Sequence, residues 1–308
     1  MRLVRQDDEG RAKHVPRVGA LTVACAALAL LALAALAAAC SGGGVPGTLG
    51  SQSLKAPQGR ALDGYPDKPP SYAQRAAAAT RWGLAKVPLV AAPPAKKPAI
   101  TFRKGFGVPG GAGLPPVFTS VPTKDKVVFL TIDDGTDKDP AFLRMMSELH
   151  VPYTAFLSDT VVDDDYDYFR GMRDLGVTLD NRTLHDPYLP GMSYEEQKNE
   201  ICGMQDVMKE QFGRRPTAFR PPQGAYDKET LRAARDCGIA YVPLWNEEIY
   251  PDHWEYREWD RRLHPGDIVL THFKGPSDWD VTMSDLVRRF LKKVTDDGYA
   301  LGRLEDYL

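Results

Sequence analysis

The chain has 308 residues, with 39 Lys and Arg against 41 Asp and Glu and a formal net charge of −2. That balance offers no basic face, which excludes nucleic acid from the expected partners. Hydrophobic residues make up 43% of the chain, enough to bury a sizeable core, and no internal repeat is present.

The chain opens with Arg2, Arg5, Arg11, Lys13 and Arg17, followed by an uncharged run of mostly Ala, Leu and Val from Val18 to Ala39. The run ends in Ala37-Ala38-Ala39-Cys40, then Ser41 and three glycines. A basic start, an apolar middle and small residues before a break mark an export signal. A cysteine directly after the small residues resembles a bacterial lipoprotein cleavage box, although Ala37 stands where Leu is usual. The expectation is an export signal over residues 1–40, with Cys40 carrying lipid and the protein held on the extracytoplasmic face of a membrane. An uncleaved anchor, for which the run is long enough, and plain secretion are the alternatives. Residues 41–118 are rich in Gly, Pro, Ala and Ser, with Pro69-Pro70, Pro93-Pro94 and Pro109-Gly110-Gly111 as breaks. They read as a largely disordered tether, in which Ile100–Phe102 and Val117-Phe118 are candidates to dock as extended strands.

From residue 119 to 308 short apolar runs alternate with amphipathic stretches. The expected strands are Lys126–Ile132, Tyr153–Leu157, Val177–Leu179, Thr217–Phe219, Ala240–Leu244, Asp267–Thr271 and Tyr299–Leu301. Between them, Phe142, Met145, Met146 and Leu149 repeat at helical spacing over Pro140–Leu149. Ser193-Tyr194-Glu195-Glu196 is a capping box opening a helix that Gly213 closes. Two further helices are expected over Lys228–Asp236 and Thr282–Thr295. Seven strands alternating with helices give an α/β fold, a distorted seven-stranded parallel barrel, with an open doubly wound sheet as the alternative. The barrel is preferred on chemical grounds. Polar residues follow the C-terminal ends of several strands: Asp133 and Asp134, Asn181 and Arg182, Arg220, Asn246 to Glu248, and His272. A closed barrel brings all of these to one rim. Cys202 and Cys237 either join in a disulfide, as export permits, or stand as separate buried thiols.

The adjacent carboxylates of Asp133 and Asp134, placed after the apolar run Val127–Leu130, are costly to bury unless paired, hydrogen-bonded or bound to metal. Thr131-Ile132-Asp133-Asp134-Gly135, Phe219-Arg220-Pro221-Pro222-Gln223-Gly224 and Ile268-Val269-Leu270-Thr271-His272 together resemble the polysaccharide deacetylase family, also called the NodB-homology or carbohydrate esterase 4 family. The resemblance covers roughly residues 120–308. It implies a divalent metal (zinc or similar) and hydrolysis of N- or O-acetyl groups on an envelope or extracellular glycan such as peptidoglycan or a chitin-like polymer. It also implies roles: Asp133 as general base, Asp134 as metal ligand, Arg220 holding Asp133, and His272 as general acid. Backbone N–H groups around Pro222, Gln223 and Gly224 would face the oxyanion, although the family often has Tyr where Gln223 stands. Trp245 would line the acetyl or sugar pocket, and Glu247 or Glu248 would orient His272.

The resemblance breaks at the family's second metal-binding motif, which supplies two histidines four apart. The matching stretch here is Asp180-Asn181-Arg182-Thr183-Leu184-His185-Asp186. The ungapped match puts Arg182 and Asp186 at the histidine positions; a shift by one puts Asn181 and His185 there. An arginine has no lone pair for a cation. Either Arg182 lies between Asp134 and Asp186 and replaces the metal's charge, or Asp134, His185 and Asp186 form an oxygen-rich ligand set for a harder cation than zinc. The function expected is therefore a metal-dependent carbohydrate deacetylase, a hydrolase of non-peptide carbon–nitrogen bonds. The alternatives are a family member that binds glycan without cutting it, and a barrel serving only as a scaffold for partners.

Overall fold

A computed structural model of the chain describes residues 70–101 and 110–308. The expected export signal and the tether as far as residue 69 lie outside the described residues. The centre of the fold is β3 (Val127–Asp134), buried on both faces apart from its last residue. A run of Val, Phe, Leu, Thr and Ile with no polar alternation suits a parallel strand covered on both sides. β3 pairs in parallel with β4 (Thr154–Leu157) along the upper half of one edge and with β10 (Ala300–Leu301) along the lower half. Its other edge pairs with β9 (Ile268–His272).

The ring continues from β4 to β5 (Thr178–Asn181). Single parallel bridges, Asn181 to Phe219 and Ala218 to Tyr241, carry it to β6 (Val242–Pro243). The same stretch of chain runs on into β7 (Glu247–Ile249), which pairs in parallel with β9 and closes the barrel. At the lower end β2 (Val117–Phe118) pairs with β6, and the Thr119 carbonyl accepts from the Ile268 N–H, so the docked strand wedges between β6 and β9. All seven expected strand segments take part. Thr217–Phe219 is reduced to bridges because Pro216 and Pro221 bracket it and remove ladder donors.

The expected helices are α2 (Pro140–Leu149), α5 (Tyr194–Phe212), α6 (Lys228–Asp236) and α8 (Met283–Asp296). Each has a side-chain N-cap: Asp139, Ser193, Asp227 and Thr282. Gly213 ends α5 at φ +85°, a left-handed conformation that glycine takes without steric cost. Within residues 119–308 the expectation does not include α3 (Asp159–Val162), α4 (Tyr166–Asp174), β7 itself, β8 (Trp254–Tyr256), which forms an antiparallel hairpin with β7, or α7 (Pro276–Trp279).

The tether expectation does not hold for residues 71–101. Ser71 and Gln74 form a capping box that starts α1 (Tyr72–Arg81), whose Ala78 and Ala79 join the main core. Arg75 donates to the Leu149 carbonyl at 2.8 Å, and the Trp82 indole N–H donates to Glu148 at 2.8 Å. β1 (Leu89–Val90) then adds to β10. Small alanines, read in sequence as linker composition, here allow close helix packing.

Cys202 on α5 is disulfide-bonded to Cys237 at the end of α6, with Cα atoms 5.1 Å apart. Replacing both cysteines by serine removes a cross-link of 35-residue separation and is expected to cost about 3–4 kcal/mol. Urea unfolding should show a lower midpoint and a larger m-value for the double variant.

Candidate functional site at the barrel mouth

The sheet register assembles the mouth. Asp133 lies opposite His272 across the β3–β9 pair, and Arg220 and Arg182 each follow a bridged strand end. Gly135 turns the chain off β3 at φ +117°, where a Cβ would meet Val162 at 2.5 Å, so only glycine fits. Several non-glycine residues of the rim loops also have positive φ: Asp134 (79°), Thr183 (90°), Asp186 (55°) and Gln223 (58°). For β-branched Thr183 this is a costly conformation. It is held by its N–H donating to Asn181 Oδ1 at 2.8 Å and its Oγ1 accepting from the Asp186 N–H at 3.1 Å. Such strain gathers where surrounding contacts fix a functional geometry.

Arg182 is at the centre, 4% exposed. Its Nη1 donates to Asp133 Oδ2. Its Nε donates to Asp186 Oδ1 at 2.9 Å and lies 3.0 Å from Asp134 Oδ1. The ungapped register is therefore the one adopted, and Asn181 turns instead to the Ile201 carbonyl and Gln205. Arg220, fully buried, donates to Asp133 Oδ1 at 2.8 Å, to Thr131 Oγ1 at 2.9 Å and to the Pro243 and Leu244 carbonyls. Its guanidinium stacks 4.2 Å from the Phe156 ring centroid and 5.7 Å from that of Trp245. Both oxygens of Asp133 are thus engaged by guanidinium groups.

His272 is held at both ring nitrogens, Nδ1 2.8 Å from Asp134 Oδ2 and Nε2 3.1 Å from Glu248 Oε1. Burial alone would lower its pKa, but the hydrogen bonds and negative charge of these carboxylates outweigh burial and raise it to about 9. Burial pushes Asp134 upward, and the bond from His272 and the charge of Arg182 more than reverse this, to about 2. Glu248 is also held below its usual value: burial raises it, but bonds from His272, Tyr250 and the Trp245 indole prevail. Asp186 moves the other way, raised by burial and by Asp134 against the opposing pull of Arg182.

The structure brings together Asp133, Asp134, Arg182, Asp186, Arg220, Glu248 and His272, with Trp245 at their edge. It does not bring His185, expected as a ligand, to this cluster. That ring is largely exposed, with Nδ1 2.7 Å from Glu200 on α5. The cause is local: between Arg182 and Asp186, which both reach the mouth, His185 faces the opposite side of the turn. Pro222 and Gly224 are buried and Gln223 is exposed in the turn after Arg220. The Gly224 N–H donates to the Pro221 carbonyl at 2.9 Å, which leaves Gln223 as the turn's backbone donor. Glu248 rather than Glu247 reaches His272, because neighbours on a strand face opposite sides. Trp279, edge-on to His272 at 6.1 Å, and Tyr250, donating to Glu248 at 2.6 Å, were missed; both follow the motifs in segments without pattern.

These residues do not fit a divalent metal at the second-motif position. The guanidinium Nε and Nη1 occupy the space between three carboxylates, carry a permanent charge and have no lone pair to offer.

A family model described as polysaccharide deacetylase matches residues 120–242. An uncharacterized protein of Streptomyces coelicolor is 40% identical over 220 residues, covering 71% of this chain and 88% of the relative. A peptidoglycan-N-acetylglucosamine deacetylase of Bacillus cereus is 25% identical, covering 61% of this chain and 91% of its own. Among solved structures, a wild-type carbohydrate esterase 4 family pseudoenzyme from Bacillus anthracis superposes with a TM-score of 0.53 at 20% identity, over 63% of this chain and 69% of its own. That likeness is one of fold.

Arg182→Leu leaves the carboxylates uncompensated and should cost about 3–5 kcal/mol at pH 7. The loss should shrink on acidification, as the carboxylates take up protons, in denaturant titrations run at several pH values. For His272, a folded pKa of about 9 lies above the unfolded value near 6.5. Its contribution to stability is complete below about pH 6.5 and is lost as pH rises through about 9. NMR titration of the ring should report a protonated imidazole at neutrality, and His272→Gln should flatten stability between these limits.

Proposed function

The chain belongs to the polysaccharide deacetylase family, and from that premise we propose that it holds an acetylated envelope glycan at the barrel mouth without metal-dependent hydrolysis. The family's deacetylases are hydrolases of non-peptide carbon–nitrogen bonds and are generally metal-dependent. The observation that carries the proposal is Arg182 seated among Asp133, Asp134 and Asp186. A metal there would polarise the acetyl carbonyl and lower the pKa of a water; a guanidinium supplies charge but no open coordination position.

The expected acid and base are restrained in the same way. Asp133 meets two guanidinium groups, so taking a proton from water would break charge-assisted bonds. His272 has both N–H groups directed at carboxylates, with neither turned to a leaving amine. What the mouth retains is suited to binding. Asp186 and the Gln223 turn present polar groups, Trp279 stands edge-on to His272, and Tyr188, two residues past Asp186, is exposed; aromatic rings of this kind suit sugar rings.

A second reading, hydrolysis by this chain without metal, is favoured by one observation: Asp133, Arg220 and His272 keep the arrangement that the family resemblance assigns to base, holder and acid. The basic start and apolar run of residues 1–40 support export and anchoring by lipid on Cys40 or by the run itself. The Cys202–Cys237 disulfide is in keeping with an oxidising compartment.

The test uses acetylated chitooligosaccharides and peptidoglycan fragments, measuring binding by calorimetry and acetate by enzymatic assay, with and without chelator and added zinc. Binding with no acetate in any condition is the expected result. Acetate release abolished by chelator would overturn the proposal, and release indifferent to chelator would establish the second reading. The Arg182→His/Asp186→His variant should gain a chelator-sensitive metal at the mouth.

A further inference from the structure

Behind the mouth, on the opposite face of β7, lies a second acidic cluster that the catalytic reading does not use. Glu247 is fully buried, and its carboxylate oxygens receive no hydrogen bond from an N–H or hydroxyl donor; they face the carboxylate of Asp267. Beside it is Asp267, 1% exposed, immediately before β9. Asp267 Oδ1 accepts from the Asn246 amide at 2.8 Å, and Oδ2 accepts from the His264 backbone N–H at 2.6 Å. The His264 ring completes the group. Its Nε2 is 3.2 Å from Asp260 Oδ2, while its Nδ1 is buried, 3.5 Å from Asp267 Oδ2, and makes no hydrogen bond. One donor atom each from Glu247, His264 and Asp267 lies within 4.8 Å of the others.

We propose that Glu247, His264 and Asp267 bind a divalent first-row cation, zinc or manganese, as a structural site separate from the barrel mouth.

The chemistry of each group favours this. A buried carboxylate with two unsatisfied oxygens is costly and requires a proton or a cation. Glu258 and Asp260 add further negative charge around Glu247 and Asp267. A histidine whose Nε2–H is directed at a carboxylate leaves Nδ1 with its lone pair, the arrangement commonly found at metal-bound histidines. One imidazole and two carboxylates suit zinc or manganese better than an all-oxygen preference for calcium or magnesium. Donors around such an ion stand about 3–4 Å apart, so modest closure suffices, and the half-exposed His264 ring is free to provide it. The site joins β7, the start of β9 and residues 258–264, the segment that carries the 92% exposed Trp259. A cation here would fix that segment to the barrel wall.

The competing explanation is a proton shared between Glu247 and Asp267, for which burial and Asp267 hold the Glu247 carboxyl up at about 10. The experiment is calorimetric titration of the chelator-treated full chain with zinc and with manganese, paired with thermal unfolding. One equivalent should bind, raising the unfolding midpoint by about 5 °C under saturation. His264→Gln, a change at a half-exposed side chain, should weaken binding at least about tenfold, and Glu247→Gln should do the same. Three results would each overturn the proposal. One is no uptake by the wild type. Another is uptake that survives His264→Gln but is lost in Asp134→Asn, which would put the ion at the mouth. The third is a Glu247→Gln variant as stable as the wild type with neither responding to metal, the outcome expected of the shared proton.

Discussion

Three carboxylates converge at one end of this barrel, and a permanent positive charge among them makes that convergence tolerable. Asp133, Asp134 and Asp186 would repel one another if ionised and unpaired in so dry a site. Arg182 reaches all three with Nε and Nη1. Its planar fork fixes direction as well as charge, so the loop carrying Arg182 and Asp186 must take the shape the fork demands. The left-handed backbones of Thr183 and Asp186 on one side, and of Asp134 on the other, accompany this arrangement. The charge of Arg182 also helps to hold Asp134 ionised and able to grip His272. Arg182 thus contributes to rim geometry and to the ionisation of Asp134, while His272 and Glu248 complete the network.

Beneath this layer the barrel interior keeps the same logic of compensation. Arg220 loses the stabilisation of water, and burial lowers its pKa. It recovers hydrogen bonds from Asp133, Thr131 and two carbonyls, and a ring face from Phe156. Lower still, burial and mutual repulsion raise the carboxyl of Asp180 beside Glu305. Glu305 in turn accepts from the Thr154 hydroxyl at 2.7 Å, which ties the C-terminal turn to β4 beside the place where β10 leaves the edge of β3. A polar column inside a barrel costs stability relative to an apolar one. It also fixes the register in which Asp133 faces His272, because a slip of one residue would turn every charged side chain toward the helices.

Much of the barrel was legible because its strands are apolar on both faces and end in charged residues. Val127–Leu130 followed by Asp133 and Asp134 announces both a buried strand and a rim. The helices with side-chain caps were legible for the same local reason. Other elements were hidden by competing signals. The acidic run Asp163–Asp165 masks the start of α4, which is carried by Phe169 and Met172 facing the core. Ala76–Ala79 reads as linker until a partner helix is present for it to pack on. For the site, type and spacing identified Asp133, Asp134, Arg220 and His272 as residues that meet. They left open whether Arg182 or His185 would point inward, since a turn of unknown shape decides that. Trp279 and Tyr250 gave no signal, because an aromatic beside a motif carries no period.

β7 and β9 carry acidic groups to two faces, and the two clusters differ in what neutralises them. On the mouth face Glu248 meets the His272 imidazole, whose pKa is raised to about 9, and Asp134 meets that imidazole and a guanidinium. Every charge there has an opposite charge from the chain itself. On the outer face Asp267 accepts from the Asn246 amide and the His264 backbone N–H, the His264 ring also faces Asp260, and the Glu247 oxygens receive no such donor. No arginine or lysine enters an ion pair with Glu247 or Asp267 among the described residues. Electrostatics therefore assigns the two faces opposite affinities. The position where family ancestry would place a metal is already satisfied by protein charge, while Glu247 and Asp267 behind it have no arginine or lysine partner among the described residues. Adjacent residues of one short strand, Glu247 and Glu248, mark the division.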